Sequence, residues 1–310
     1  MEPEISVVMS VYNGQADLRA TMDSILGQTE KDLEFVVIDD GSTDSSGAIL
    51  DEIASRDARV RVIHQENRGL TRALIAGCAA ARGRYIARQD CGDTSDPRRL
   101  ALQKKLLDAN PDLAFVSCWT AFAGPEGEPL YESRGTGAAS APIAMLDTSR
   151  TWGVIDGPTC HPSVMMRRDA YERAGGYRAA FAVGQDWDLW YRLAALGKFQ
   201  IMPEVLYTAQ VTPRGISGGA RGAQQTMAQL SLAAMRARMT GQSDDDFVRR
   251  AAELRIVRDT SACGEGRGLY AIGEALRRRR DARARTYLRR AIARCPRLVK
   301  AWIRYAQSFF

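Results

Sequence analysis

Short apolar runs without polar alternation most constrain this chain. Val7-Val8-Met9 and Phe35-Val36-Val37-Ile38 would present apolar side chains to both faces of any strand they form. Such a strand must be covered on both sides, as in a parallel sheet with crossover helices. The pattern predicts strands at Ile5–Tyr12, Phe35–Asp39, Val60–His64, Tyr85–Gln89 and Ala114–Trp119. Helices fit at about 15–28, 45–56 and 71–81, and another opens at Asp96-Pro97, where Asp96 suits the N-cap and Pro97 the first helical position. The expected fold class is α/β, a mostly parallel sheet with flanking helices. Residues 121–162, rich in Gly, Pro, Ser and Ala, read as a long loop of the kind that shapes a binding site. A strand at Ser163–Arg167 and helices at Asp169–Ala174 and Asp186–Leu196 are expected beyond it.

Charge divides the 310 residues in two. Residues 1–220 hold 23 Lys and Arg against 29 Asp and Glu, whereas residues 221–310 hold 20 against 8. A domain of 1–220 followed by a basic helical appendage of 221–310 is expected, with the boundary near Gly218-Gly219. Cys78, Cys91, Cys118, Cys160, Cys263 and Cys295 form no CxxC pair, and only Cys160-His161 sets a histidine beside a cysteine, so a zinc site is not expected. They read as reduced, mostly buried thiols of a cytoplasmic protein. No charged-then-apolar leader opens the sequence and no apolar run approaches the roughly 20 residues that span a bilayer. Any membrane association is therefore expected to be peripheral, at the inner face.

Ligands of an open α/β sheet bind outside the carboxyl ends of its strands, and there this sequence is acidic. The second strand closes in Asp39-Asp40-Gly41-Ser42-Thr43-Asp44 and the fourth in Asp90-Cys91-Gly92-Asp93. Gly-Ser-Thr-Asp is also an ordinary turn and helix cap. Two acidic clusters at two strand ends are less ordinary, because gathered carboxylates repel unless a cation lies between them. Hard oxygen ligands with water and phosphate suit Mg²⁺ or Mn²⁺, and such a metal would neutralise a departing diphosphate.

The segments Ile5-Ser6-Val7-Val8-Met9-Ser10-Val11-Tyr12-Asn13, Ser24-Ile25-Leu26-Gly27-Gln28-Thr29 and Phe35 to Asp44 resemble the opening of the family 2 inverting glycosyltransferases of GT-A fold. Asn67-Arg68-Gly69-Leu70, Gly83-Arg84-Tyr85-Ile86-Ala87, Asp90 to Asp93, His161-Pro162-Ser163-Val164, Gly175-Gly176-Tyr177 and Gln185 to Leu193 continue the likeness in order, over roughly residues 4–217. The resemblance implies a GT-A domain that moves a sugar from a UDP- or GDP-linked donor to an acceptor hydroxyl, with Mn²⁺ or Mg²⁺ as cofactor. It implies that Tyr12 and Asp40, with Ser10 nearby, hold the nucleotide base, and that Asn67 and Arg68 belong to the donor site. Asp90 and Asp93 match the outer carboxylates of the metal and ribose motif, Asp93 as the metal ligand. Asp186 matches the base that deprotonates the acceptor. Read alone, Asp186 could equally cap its helix, where negative charge is favoured.

Three departures from the family pattern stand out. Gly92 replaces a central aspartate, Gln185 a glutamate, and Gln210 and Thr212 an Arg and a His. They leave open a non-catalytic nucleotide-sugar-binding relative. A sugar nucleotidyltransferase is a further alternative, but it would want a basic phosphate-gripping loop where Tyr12-Asn13-Gly14-Gln15 stands. A saccharide or lipid-linked acceptor, as in cell-surface polysaccharide assembly, is what the resemblance implies.

His64 at a strand end reads as a satisfied residue, and His161 as a candidate for acceptor or diphosphate contact. Trp152 and Trp187 could face sugar rings, whereas Trp190 has core spacing. Ala275 to Arg280 and Ala284 to Pro296 read as a helical hairpin, the second segment loosely like one tetratricopeptide unit without the further repeats a solenoid needs. Its basic charge is either a solvated face or an attraction to anionic lipid. Trp302, Tyr305, Phe309 and Phe310 beside Lys300 and Arg304 favour the lipid surface over nucleic acid, which is not expected as a partner.

Overall fold

The structure, a computed structural model, describes residues 2–135, 157–215, 221–257 and 259–309. Trp152, Gly218-Gly219, Phe310 and residues 136–156 of the expected loop lie outside the described residues. Contacts divide the chain into two compact units. The first comprises Met1–Thr120, Ser133–Thr208 and Met227–Glu253, and the second Ala121–Glu132, Ala209–Thr226 and Leu254–Phe310.

In chain order the strands are β1 Ile5–Val11, β2 Leu33–Asp39, β3 Val60–His64, β4 Tyr85–Arg88, β5 Thr94–Ser95, β6 Leu113–Ala123, β7 Pro129–Ser133, β8 Met165–Arg167 and β9 Lys198–Gln210. The helices are α1 Leu18–Leu26, α2 Ser46–Arg56, α3 Leu70–Ala80, α4 Arg99–Ala109, α5 Arg168–Arg173, α6 Gln185–Leu193, α7 Arg221–Met239, α8 Asp245–Glu253, α9 Ala262–Arg278, α10 Ala284–Arg294 and α11 Val299–Gln307. The sheet order is β3-β2-β1-β4-β8-β6-β9-β5, with β7 paired to β6. β1 lies parallel between β2 and β4, and β8 runs antiparallel to β4 and to β6. This is the expected mostly parallel α/β fold with C-terminal helices.

Both faces of β1 and β2 are buried, as their composition requires. Val7, Met9 and Val11 pack with Phe35, Val37, Leu18, Met22 and Leu100 on the side of α1 and α4. Val8, Val36 and Ile38 pack with Ala73 and Leu74 of α3, and with Leu189 and Trp190 of α6, on the other. Residues one apart in a strand point to opposite faces, so one run serves two cores.

Two expectations change. Residues 121–133 are not loop, because β6 runs on to Ala123 and β7 returns beside it. The turn closes by Gly124 N donating to the Glu128 carbonyl at 2.8 Å, and Phe122 stacks on Tyr131 with centroids 4.6 Å apart. Cys263 and Cys295 are not reduced thiols but a disulfide with Cα atoms 4.6 Å apart. α9 and α10 form a hairpin that brings the start of the first beside the end of the second, and that proximity is invisible in a spacing of 32 residues. Cys78, Cys91, Cys118 and Cys160 remain thiols. The hairpin encloses Leu269, Ile272, Leu276, Tyr287 and Ala291, and the Tyr287 hydroxyl reaches the buried Glu128 carboxylate at 2.5 Å.

Gly83 shows how tightly β4 is entered. A Cβ there would lie 2.5 Å from the Ser6 backbone nitrogen, and the Gly83 N–H donates to Ser6 Oγ at 2.8 Å. Backbone cannot yield as a side-chain tip can. Gly83→Ala is expected to lower stability by about 1–3 kcal/mol. Gly222→Ala, at a helical position with nothing within 4 Å, should be neutral or stabilising by up to about 1 kcal/mol. Urea midpoints of the two variants check the contrast.

Candidate active site

Three carboxylates of the first unit act electrostatically on Cys160. Burial pushes the Cys160 thiol well above its ordinary pKa, and Asp93, Asp90 and Asp186 each push it further. Asp90 and Asp93 come from the turn after β4, and Asp186 is the second residue of α6. All three thus bear on one buried thiol, although they lie in separate parts of the sequence.

The turn carrying Asp90 and Asp93 is held from three directions. Thr21 of α1 accepts the Gly92 N–H at 3.0 Å and donates to the Asp93 carbonyl at 2.9 Å. Gln89 Nε2 also reaches that carbonyl, at 3.0 Å. The Tyr207 hydroxyl of β9 accepts the Asp90 N–H at 3.2 Å and donates to Asp93 Oδ2 at 2.8 Å. Gly92 itself has φ +97°, a left-handed conformation that penalises any side chain. The missing central aspartate therefore agrees with the local backbone.

Under the acids lies Arg88, with no exposed surface. Its Nη1 donates to the Val8 carbonyl at 3.2 Å and the Gln89 carbonyl at 2.7 Å, and its Nη2 to Asp90 Oδ1. Burial works against its charge, but Asp90 and its other neighbours hold the pKa above the ordinary arginine value. Arg99, also buried, spans the Pro162 and Arg88 carbonyls at 2.8 and 3.0 Å and lies 5.1 Å over the Tyr207 ring.

Asp186 is tuned differently. It follows Gly184, whose φ of +66° starts α6, and Gly184 makes no side-chain cap. Burial pushes the Asp186 carboxyl up to about 6, against the pull of the Trp187 and Asp186 backbone N–H groups and of Arg88, while Asp90 adds to the rise. Its helix is anchored by Asp188, fully buried, which pairs with Arg178 and with Arg192 at 2.6 Å. Arg178 reaches on to Asp244 at 2.8 Å.

Asp40 belongs to a second cluster. Its Oδ1 accepts from Gln65 Nε2 at 2.6 Å and the Arg68 N–H at 2.9 Å, and its Oδ2 from the Gly69 N–H at 2.8 Å. A carboxylate offers about four acceptor positions, so roughly one is left on Oδ2. Tyr12, Asn67 and Arg68 stand exposed around this 2 %-exposed carboxylate, and Ser10 is half-buried in β1. The Asp40 N–H donates to the Val11 carbonyl at 2.8 Å, which sets it beside Tyr12.

The histidines and tryptophans divide as follows. His64 bridges Asp39 at 2.8 Å and Asp51 at 3.0 Å, which raise its pKa. His161 Nε2 lies 2.6 Å from the Tyr177 hydroxyl, edge-on to Trp190, and burial keeps it neutral. Trp190 is core, and Trp187 is half-buried beside Gly157. Sequence reasoning missed Arg88, Arg99 and Tyr207. A charge closing the apolar run Tyr85-Ile86-Ala87 is a signal for the first, but nothing near Tyr207 marks it.

Among the described residues no group of three or more His, Cys, Asp or Glu side chains forms a metal cage. Asp90 and Asp93 fit the other common arrangement for Mg²⁺-like cations, one or two carboxylates completed by substrate phosphates and water.

The architecture matches solved glycosyltransferases. The Staphylococcus aureus TarS 1–349 structure in complex with UDP superposes with a TM-score of 0.58 at 14 % identity, covering 99 % of this chain and 90 % of that one. The mannosyltransferase PcManGT from Pyrobaculum calidifontis, in complex with GDP-Man and Mn²⁺, gives 0.56 at 20 % identity, covering 100 % and 80 %. These define the fold class as GT-A. The model of glycosyl transferase family 2 matches residues 6–175, and the chain belongs to that family.

Its relatives include the Bacillus subtilis putative glycosyltransferase EpsE, 33 % identical over 61 % of this chain and 66 % of that protein. An uncharacterized glycosyltransferase of Methanocaldococcus jannaschii, MJ1057, is 30 % identical over 69 % of this chain and 72 % of its own length. The chain spans 27 % of B. subtilis EpsJ and 18 % of Streptococcus pneumoniae GlyA, so it matches parts of longer relatives.

The charge of Asp186 gives a direct test. Its folded pKa of about 6 lies above the ordinary aspartate value, so ionisation opposes folding. That cost is absent below the unfolded pKa, grows as pH rises towards 6, and is full above it. Asp186→Asn is expected to stabilise the protein by on the order of 2 kcal/mol near pH 8 and to have little effect near pH 4. Urea unfolding at the two pH values measures it, and lost stability at pH 8 would assign Asp186 to helix capping instead.

Proposed function

We propose that this protein is a metal-dependent inverting glycosyltransferase that moves a sugar from a UDP- or GDP-linked donor to the hydroxyl of a saccharide or lipid-linked acceptor. The observation that carries the reading is the desolvated Asp186 carboxylate, which feels the charge of Asp90 and acts with Asp90 and Asp93 on the same buried thiol. A single displacement needs a base on one side of the sugar and charge neutralisation on the other, and these three residues supply both from one site.

Asp186 takes the acceptor hydroxyl proton as the acceptor oxygen bonds to the anomeric carbon. The bond from that carbon to the diphosphate breaks, and the nucleoside diphosphate departs with the bonding pair. A value of about 6 leaves Asp186 mostly ionised at neutral pH yet basic enough to accept a proton. Asp93 and Asp90 would hold Mn²⁺ or Mg²⁺, whose charge offsets that developing on the departing diphosphate. Tyr207 keeps Asp93 and the Asp90 backbone in register for this (2.8 and 3.2 Å). The base of the donor lies against Tyr12 and meets Asp40 on Oδ2, with Ser10, Asn67 and Arg68 around it. Similar structures support the donor class, since they are complexes with UDP, UDP-GlcNAc, or GDP-Man and Mn²⁺.

Release of nucleoside diphosphate from UDP- and GDP-sugars with acceptor present tests the proposal. Activity should need Mn²⁺ or Mg²⁺, vanish with chelator and return on adding metal. Asp93→Ala is expected to lower the metal-stimulated rate roughly 100-fold or more, and Asp186→Asn to lower kcat about 100- to 10,000-fold. Because the base must be ionised, kcat/KM should fall as pH drops through about 6. Asp186→Asn should lack that limb, and full transfer by this folded variant would refute the assignment.

A further inference from the structure

The last helix of the second unit leaves one apolar face uncovered. α11 buries Ala301 completely and turns Leu298, just before it, towards the hairpin core. On its other side Val299, Trp302 and Ile303 are 66, 51 and 49 % exposed, and Phe309 just beyond it is 54 % exposed. Positions 299, 302, 303 and 306 follow the spacing of a single helix face. Trp302 and Phe309 are held in place. The Trp302 indole N–H donates to the Pro296 carbonyl at 3.0 Å, and Phe309 lies under the Arg285 guanidinium at 4.5 Å and edge-on to Tyr305 at 5.3 Å.

Among the described residues the positive charge around this face is uncompensated. The carboxylates of the hairpin are already engaged: Glu274 by Arg277, Arg278 and Arg304, Asp281 by Arg283, and Glu265 by Arg214 and Arg294. Arg285, Arg289, Arg297 and Lys300 are exposed, and none of them has an ion-pair partner among the described residues.

We propose that this face, Val299, Trp302, Ile303 and Phe309 flanked by Arg285, Arg289, Arg297 and Lys300, docks the protein on an anionic phospholipid membrane. An apolar strip carrying an indole and bordered by cations suits the boundary between acyl chains and negative headgroups. A second copy suits it poorly, because a two-fold contact would set the same cations against each other. The surface would hold the protein beside a lipid-linked acceptor, and in that respect alone it rests on the proposed function.

Co-sedimentation of the full chain with vesicles tests this without donor or metal, so failure leaves the transferase assay independent. Vesicles with about 30 % phosphatidylglycerol should bind the protein, and pure phosphatidylcholine vesicles should bind it at least about tenfold more weakly. Trp302→Ser with Ile303→Ser, and separately Arg285→Glu with Arg289→Glu, should each lower binding to the anionic vesicles about tenfold or more. Unchanged circular dichroism and melting would show that both variants fold. No vesicle binding, equal binding to the two vesicle types, or undiminished binding by both variants would overturn the proposal. So would a wild-type dimer that Trp302→Ser with Ile303→Ser dissociates without any change in vesicle binding, since the face would then join two copies.

Discussion

Gathering carboxylates at the ends of strands creates a repulsion that the fold must contain before any ligand arrives, and Arg88 is the residue placed to contain it. It is wholly buried, ties the Val8 and Gln89 carbonyls of neighbouring strands, and ends on Asp90. Its charge also draws down the pKa of Asp186 and helps keep His161 neutral. A buried cation is costly unless it is paired and hydrogen-bonded, and these contacts supply both conditions. The acidic turn, the His161 turn and the start of α6 are arranged around one guanidinium. Arg99 completes the arrangement by fixing the Arg88 carbonyl and the Pro162 carbonyl together.

Two aspartates of α6, two residues apart, have opposite tasks. Asp188 is buried between Arg178 and Arg192 and secures the helix, with Asp244 extending the network through Arg178. Asp186 has no such salt bridge among the described residues, and burial raises its pKa. An anchored helix holds in place a carboxylate that only backbone N–H groups bond. Perturbed groups of this kind cluster where chemistry is done, because a base must hold its proton affinity near the working pH.

The sheet was legible because burial on both faces leaves its mark in every residue of a strand. Val7-Val8-Met9 and Phe35 to Ile38 marked β1 and β2 closely. The β6–β7 hairpin was hidden, since Gly124, Pro125 and Gly127 of its turn resemble a loop, while the Phe122–Tyr131 pair that stabilises it is a contact across strands. The disulfide was hidden for the same reason, as only the hairpin of α9 and α10 brings Cys263 to Cys295. In the site, Asp90, Asp93 and Asp186 were legible by type and by position at strand and helix ends. Tyr207, far away in sequence, was not, although its hydroxyl joins the two ends of the acidic turn.

Asp40, Asp93 and Asp186 show how one side chain is given three environments by its surroundings. Asp40 is saturated almost fully by N–H donors from Gln65, Arg68 and Gly69, which fixes its direction and leaves about one acceptor position for a ligand. Asp93 is oriented by a phenol hydroxyl, a neutral donor. Burial raises the Asp186 carboxyl to about 6. Recognition favours the first condition, metal binding the second and proton transfer the third. The order in which these residues meet along the chain is therefore less informative than the donors around each, and those donors come mostly from backbone and from residues that carry no motif of their own.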